Sequence, residues 1–152
     1  MATIRLICGR IALVDDCDYE DLSKFTWRAM SGKYPYPCRS ITGGTVLMHR
    51  EIMRPGSDTM VDHINGNRLD NRRENLRLCS RTQNGQNRCK GKNNKSGIKG
   101  AYYRPDRGKW ASYITVNKEK IFLGYFETKE MAGGAYERAA KLYFGEFAST
   151  AS

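Results

Sequence analysis

The sequence predicts an α+β protein. A β-rich N-terminal region leads into a strand–loop–strand–helix segment, followed by a basic linker and a three-stranded antiparallel sheet packed on one helix. Three observations support this. Short apolar runs separated by Gly, Pro, Asn and Asp fill residues 1–48. Two strand patterns over 60–78 precede Ser80 and Gln83, the spacing of a capping box. Three alternating segments between 100 and 126 lead into a long stretch with helical apolar spacing.

Taken in order, Ile4-Arg5-Leu6-Ile7 and Ile11-Ala12-Leu13-Val14 read as strands, the second ended by Asp15-Asp16. Asp18 is placed to cap a short helix over Tyr19 to Phe25. Trp27 to Met30 and Pro37 to Ile41 read as strands, and Gly43-Gly44 marks a hairpin. This region is read as scaffold, with Arg28, Lys33 and Arg39 available for backbone contacts to a polyanion. Met48 to Met53 opens a short helix. Met60 to Ile64 is a strand, Asn65-Gly66 and Asn67 supply turn chemistry, Leu76 to Leu78 is a second strand, and Ser80 starts a helix that carries Asn84, Asn87 and Arg88 along one face. Residues 91–97 read as a flexible polar linker. Gly100 to Arg104, Lys109 to Val116 and Lys120 to Phe126 are strands. Thr128 caps a helix over Lys129 to Phe144, with Ala132, Ala135, Tyr136, Ala139, Ala140 and Tyr143 on its covered face.

Composition limits the function classes. Mean hydropathy is −0.67, no apolar run approaches the roughly 20 residues of a membrane span, and the N-terminus lacks the character of a signal peptide. The expectation is a protein of the cytoplasm without membrane partners. The five cysteines, Cys8, Cys17, Cys38, Cys79 and Cys89, are widely spaced, so reduced thiols are expected and zinc is not. Net charge is +10 and unevenly placed: residues 1–80 hold 12 Lys/Arg against 10 Asp/Glu, residues 81–152 hold 14 against 6. Arg88, Lys90, Lys92, Lys95 and Lys99 meet no acid between them. Such a block suits a polyanion, because each neutralised phosphate releases counterions.

The chemistry concentrates in VDHINGNRLDNRRENLRLCSRTQNGQN. Asp62 stands beside His63, Asn75 follows the histidine by twelve residues, and Asn84 follows by nine more. A carboxylate beside an imidazole can hold a hard divalent cation while the ring takes a proton from water. A second oxygen ligand from a downstream Asn would complete the protein side of a small metal site, which is enough for phosphodiester cleavage. His49, in Met-His-Arg, is read as a buried polar contact, with contact to the site as the alternative.

From His49 to Arg88 the chain resembles the HNH (β-β-α-metal) nucleases, most closely the phage and intron homing endonucleases. The resemblance implies that Asp62 and Asn84 bind one cation, Mg²⁺ or Mn²⁺, through oxygen. It implies that His63 deprotonates the attacking water, and that Asn75 holds the loop and orients the histidine. Arg77, Arg81 and Arg88 are the candidates for neutralising the phosphate.

Residues Ser96 to Ala148, with GKW, LGYF and AYERAA in register, resemble the Apetala/ethylene-response-factor type of DNA-binding domain. The resemblance implies that the sheet lies in the major groove of double-stranded DNA, with Lys99, Tyr102, Arg104, Tyr113, Thr115, Lys120 and Phe122 at the DNA-facing positions. Several plant-type arginines and tryptophans are absent there, so the plant target site is not implied.

The expected organisation is a nuclease domain over 1–90 with its motif at about 46–90, a linker over 91–97, and the DNA-binding domain over 98–148. The expected function is a metal-dependent DNA endonuclease. It would nick one strand as a monomer and break both only as a dimer or in two events, with site preference supplied by the C-terminal sheet. The alternatives are a non-catalytic DNA-binding regulator and a phage DNA-associated protein.

Overall fold

The computed structural model describes residues 1–32, 35–86 and 94–148. The chain divides into two compact units, 1–84 and 85–152. Lys33, Asn87, Arg88, Cys89, Lys90 and Lys92, named above, lie outside the described residues. No described helix is long and apolar enough to cross a membrane.

In the first unit, β1 (Ala2–Arg5) and β2 (Ile11–Val14) form an antiparallel hairpin with Ala2 opposite Val14. Alternation buries Ile4, Ala12 and Val14. Helix α1 spans Asp16–Ser23, so it begins earlier than the sequence suggested. Asp15 occupies the cap position, and Asp18 falls in the first turn. There its carboxylate accepts from Arg73 Nε at 2.8 Å and Nη2 at 2.7 Å, a long-range pairing that a local capping rule does not see. Leu22 is buried, whereas Phe25 lies beyond the helix end and is 42% exposed. Trp27 is enclosed and its indole N–H donates to the Leu22 carbonyl at 2.8 Å, which satisfies its one polar atom.

Strands β3 (Arg28–Ala29), β4 (Pro37–Ile41) and β5 (Gly44–Leu47) pair in that order. The β4–β5 turn places Gly43 at φ 84°, a conformation open to glycine. Helix α2 (Met48–Met53) buries Met48, His49 and Ile52. Strands β6 (Met60–His63) and β7 (Leu76–Cys79) pair antiparallel, with Asp62 opposite Arg77 and His63 opposite Leu76. Helix α3 (Arg81–Gln86) follows. Both capping-box bonds form: Gln83 N–H donates to Ser80 Oγ at 3.2 Å, and Ser80 N–H donates to Gln83 Oε1 at 2.8 Å. Val61, Leu76, Met48 and Trp27 belong to one apolar core.

In the second unit the described residues resume at a hydrogen-bonded turn. Asn94 Oδ1 accepts from Ser96 Oγ and Gly97 N–H, and Asn94 Nδ2 donates to the Ile98 carbonyl at 2.8 Å. The described end of the expected linker is therefore internally bonded. Strands β8 (Ala101–Arg104), β9 (Lys109–Val116) and β10 (Glu119–Phe126) form an antiparallel sheet with β9 central. Asn117 and Lys118 turn between β9 and β10 with φ of 49° and 72°, the signature of a hairpin turn that follows strand twist. Helix α4 (Lys129–Phe144) is capped by Thr128, whose hydroxyl accepts from Met131 N–H at 3.2 Å.

Ala139, Ala140 and Tyr136 pack with Ile114 beneath the helix. Tyr143 does not join them and is 46% exposed. Phe144, one four-residue step after Ala140, packs against this core instead. Two glycines permit the close fit. A Cβ at Gly133 would meet Ile98 Cγ2 at 2.4 Å, and one at Gly100 would meet the Tyr136 ring at 2.2 Å. Gly134 has no such neighbour.

Candidate active site

The site is built on the β6–β7 hairpin and the loop joining it. Successive strand residues point to opposite faces, so Val61 and His63 share one face while Met60 and Asp62 share the other. The Val61 face belongs to the core. On it, His63 is 4% exposed and faces His49 of α2, with ring centroids 5.1 Å apart. Tyr36 closes the cluster at 5.1 Å from His49 and 5.9 Å from His63. The Arg68 guanidinium stacks over Tyr36 at 4.2 Å. His49 is thus a buried neighbour of the candidate base, with no partner at its Nδ1 among the described residues.

The loop is folded by its own carboxamides. Asn65 Oδ1 accepts from Asn67 N–H at 2.8 Å and Asn67 Oδ1 from Leu69 N–H at 3.1 Å. Asn75 ties both ends: its Oδ1 accepts from Asn65 N–H at 3.0 Å and its Nδ2 donates to the Asp70 carbonyl at 2.8 Å. Asp70, 3% exposed, accepts from Arg72 Nε and Nη2 at 2.8 Å each and from Asn65 Nδ2 at 3.0 Å. These donors hold its carboxyl below the usual carboxylate range, the Arg72 bond first among them. The edge of β2 clamps the same loop. Leu13 N–H donates to the Leu69 carbonyl, and Asn71 N–H donates to the Leu13 carbonyl, each at 2.8 Å. The N-terminal hairpin is therefore a scaffold with a specific task.

That clamp positions Asn71, which the sequence reading did not single out. Asn71 is fully buried and its Oδ1 lies 3.3 Å from His63 Nε2. Its Nδ2 donates to the Arg68 carbonyl at 3.2 Å, leaving the oxygen to face the ring. An oxygen there calls for a proton on Nε2, which puts the ring's lone pair on Nδ1. The resemblance to HNH nucleases assigns Asn75 both tasks, holding the loop and orienting the histidine. In the structure Asn75 uses its carboxamide on the loop, and the amide at the ring is that of Asn71. A second Asn eight residues after His63, inside a run of turn-forming residues, was the available signal.

Burial lowers the pKa of both histidines. For His63 desolvation outweighs the opposing Asn71 bond and the Asp62 and Asp70 charges. For His49 desolvation, then His63, Arg50 and Arg68, push the value down to about 3. Both rings are neutral at neutral pH. Unfolded histidines titrate near 6.5, so the unfolded chain binds more protons below that value and stability falls as pH drops. Between pH 6.5 and about 3, His49 alone removes up to ~1.4 kcal/mol of unfolding free energy per pH unit. Urea denaturation at stepped pH should show that slope, and His49→Asn should flatten it; an unchanged slope would contradict the burial argument.

On the opposite face of the hairpin, Asp62 is 7% exposed and its Oδ2 accepts from Arg77 Nε at 3.0 Å and Nη2 at 2.8 Å. Arg77, read as a phosphate contact from sequence, is in this structure the ion-pair partner of Asp62. Asn84 Nδ2 reaches Met60 Sδ at 3.7 Å, which places α3 over the face that Met60 and Asp62 share. Asp62 and Asn84, the two oxygen-bearing candidates, thus lie on the Met60 side of the hairpin, and the Asp62 charge still reaches the adjacent His63 ring. Among the described residues no three His, Cys, Asp or Glu converge as a metal-ligand set. A cation held here would therefore need carboxamide oxygen beside the Asp62 carboxylate. That donor pair suits a hard ion. Arg81 is exposed at the start of α3. In the second unit Lys95, Arg104, Thr115, Lys120, Tyr102 and Phe122 are exposed, Tyr113 is half-buried, and Lys99 Nζ lies 5.5 Å from the Tyr136 ring centroid. The four described cysteines are free, Cys8 and Cys17 exposed, Cys38 and Cys79 buried.

Comparison with known proteins points the same way. A family model described as HNH endonuclease matches residues 55–86, which include β6, its loop, β7 and α3. An uncharacterized HNH endonuclease of Acanthamoeba polyphaga mimivirus is 31% identical over 147 residues, 93% of this chain and 74% of that protein. Protein 3.8 of Escherichia phage T7 is 31% identical over 88 residues, 58% of this chain and 72% of its own length. No solved structure matches. With close to its whole length aligned to a relative of that kind, and the family's segment centred on the histidine hairpin, the chain belongs to the HNH endonuclease family.

Proposed function

We propose that this endonuclease hydrolyses phosphodiester bonds in double-stranded DNA with the help of one divalent cation, Mg²⁺ or Mn²⁺. The observation that carries the reading is the His63 environment: a buried, neutral imidazole whose Nε2 is engaged by Asn71 at 3.3 Å. A ring fixed in that way can take a proton at Nδ1 without rotating. Asp62 and Asn84 would hold the cation. When bound, such an ion supplies charge stabilisation at the scissile phosphate and the leaving 3′ oxygen. Asn75 keeps the loop closed, and Asn71 holds the tautomer.

The family membership supports a nuclease domain over roughly 1–90. Residues 98–148 form a sheet-and-helix module on which 91–97 would act as the tether, and the resemblance to Apetala/ethylene-response-factor domains supports DNA contact by its sheet. One candidate general base, His63, and one candidate cation site per chain support nicking by a monomer. The direct test is supercoiled plasmid incubated with the protein and Mg²⁺. Open-circle product that disappears with EDTA is expected. Full cutting in EDTA would remove the metal from the reading, and no cutting with either Mg²⁺ or Mn²⁺ would remove the reaction.

A further inference from the structure

We propose that the open face of the C-terminal sheet binds single-stranded DNA by stacking unpaired bases on a platform of four aromatic rings. The inference rests on the reading that this sheet contacts DNA, and it specifies which form of DNA. Strand register assembles the platform. Ala111 of β9 stands between Tyr102 of β8 and Tyr125 of β10, and Tyr113 stands opposite Phe122. The rings make a continuous chain, with centroids 6.1 Å apart for Tyr102–Tyr113, 5.2 Å for Tyr113–Phe122 and 4.9 Å for Phe122–Tyr125.

This face is not core. Ile114 and Ile121, on the alternate positions, are the residues that pack with α4. Tyr102 is 51% exposed and Phe122 47%, while Ala111 between them is fully covered. So much ring surface in water calls for an occupant. Charge says which kind, since residues 81–152 carry 14 Lys/Arg against 6 Asp/Glu. Cations lie directly on the rings: Lys120 Nζ is 4.1 Å from the Tyr113 centroid, and Arg107 Cζ is 4.8 Å from that of Tyr125.

The commonest specific contact of a duplex reader is a cationic donor, Arg above all, aimed at a guanine edge. Here the fork of Arg104 is turned onto Asp106, with Nε at 3.0 Å and Nη2 at 3.2 Å, and Lys109 is paired with Glu127 at 2.9 Å. What the face presents outward is ring surface flanked by Lys120 and Arg107. Ring surface offers no hydrogen-bond code to paired edges, but it stacks on any base that has left the helix.

The test uses the full chain in EDTA, so that nothing is cut. An oligodeoxynucleotide carrying 2-aminopurine is titrated as a single strand, as its duplex, and as the RNA of the same sequence. The expected result is tighter binding of the DNA single strand than of the duplex, with quenching of the 2-aminopurine. Phe122→Leu and Tyr102→Leu, which keep apolar cover over the sheet, should each weaken single-strand binding roughly 5- to 100-fold with the salt slope unchanged. Lys120→Gln should lower that slope by about one. Duplex bound as tightly as the single strand, with the same sensitivity to Phe122→Leu, would overturn the stacking proposal and leave the sheet as a groove reader. Tighter binding of RNA would overturn the assignment to DNA. Binding untouched by all three variants, in chains with unchanged melting temperature, would remove the sheet from DNA contact altogether.

Discussion

Substituting His63 by alanine should lower the cleavage rate by roughly 10²–10⁴-fold, the usual worth of a positioned general base, while DNA affinity stays as it was. The separation of the two effects follows from where the ring lies. His63 is 4% exposed and surrounded by His49, Tyr36 and Asn71, so it offers no surface for tracking a DNA backbone. Removing it leaves a cavity beside two rings and an Asn71 oxygen without its ring partner, so a loss of stability is also expected. His63→Gln, which keeps volume and a polar end, controls for that loss. Both variants are measured by plasmid nicking with Mg²⁺, by DNA binding in EDTA and by thermal melting. A folded His63→Gln that cuts at the parental rate would refute the assignment of the base, as would a folded variant that loses binding and cutting in parallel. The rate profile carries an independent signature. Burial holds the His63 pKa below 6.5, and the base must be unprotonated. The acid limb of kcat/KM should therefore lie below the pH at which an ordinary histidine would place it.

The fold was legible wherever local pattern and packing agree. The C-terminal hairpins, the capping box at Ser80 and Gln83, and the Thr128-capped helix are local devices that lie where their residues predict, whereas β1 spans Ala2–Arg5 rather than 4–7. Asp18 shows where this stops. A cap rule reads only the next three residues, whereas its carboxylate is drawn to Arg73, 55 positions away. Tyr143 shows the same limit inside a periodic helix, because at its end a three-residue step and a four-residue step both fit the pattern, and packing against the sheet chose Phe144.

In the candidate site, the residue types were readable and their pairings were not. Asn75 and Asn71 are both carboxamides in one loop, and which of them meets His63 is decided by the β2 edge, which grips the Asn71 backbone through Leu13. Arg77 reads as a loose cation in sequence. Strand register alone places it opposite Asp62.

That last pairing has the largest stability consequence in the hairpin. Arg77→Met should destabilise the first unit by about 3 kcal/mol in EDTA, because it leaves most of a buried carboxylate's compensation missing. The side chains are 8% exposed for Asp62 and 12% for Arg77, so water cannot easily replace the guanidinium. Both donors converge on Oδ2, at 3.0 and 2.8 Å, so methionine removes the charge and two hydrogen bonds while retaining most of the volume. Urea denaturation followed at Trp27, in a Trp110→Phe background, reports on the unit that contains the pair. The companion variant Asp62→Leu/Arg77→Met removes both charges and should recover most of the loss, since paired buried ions often do no better than apolar replacements. Mg²⁺ adds a second discriminating measurement. If Asp62 is a cation ligand, the ion should restore stability to Arg77→Met and not to the double variant, because only the former keeps the carboxylate for it to bind. Equal rescue of both, or of neither, would separate Asp62 from the metal while leaving its structural pairing with Arg77 intact.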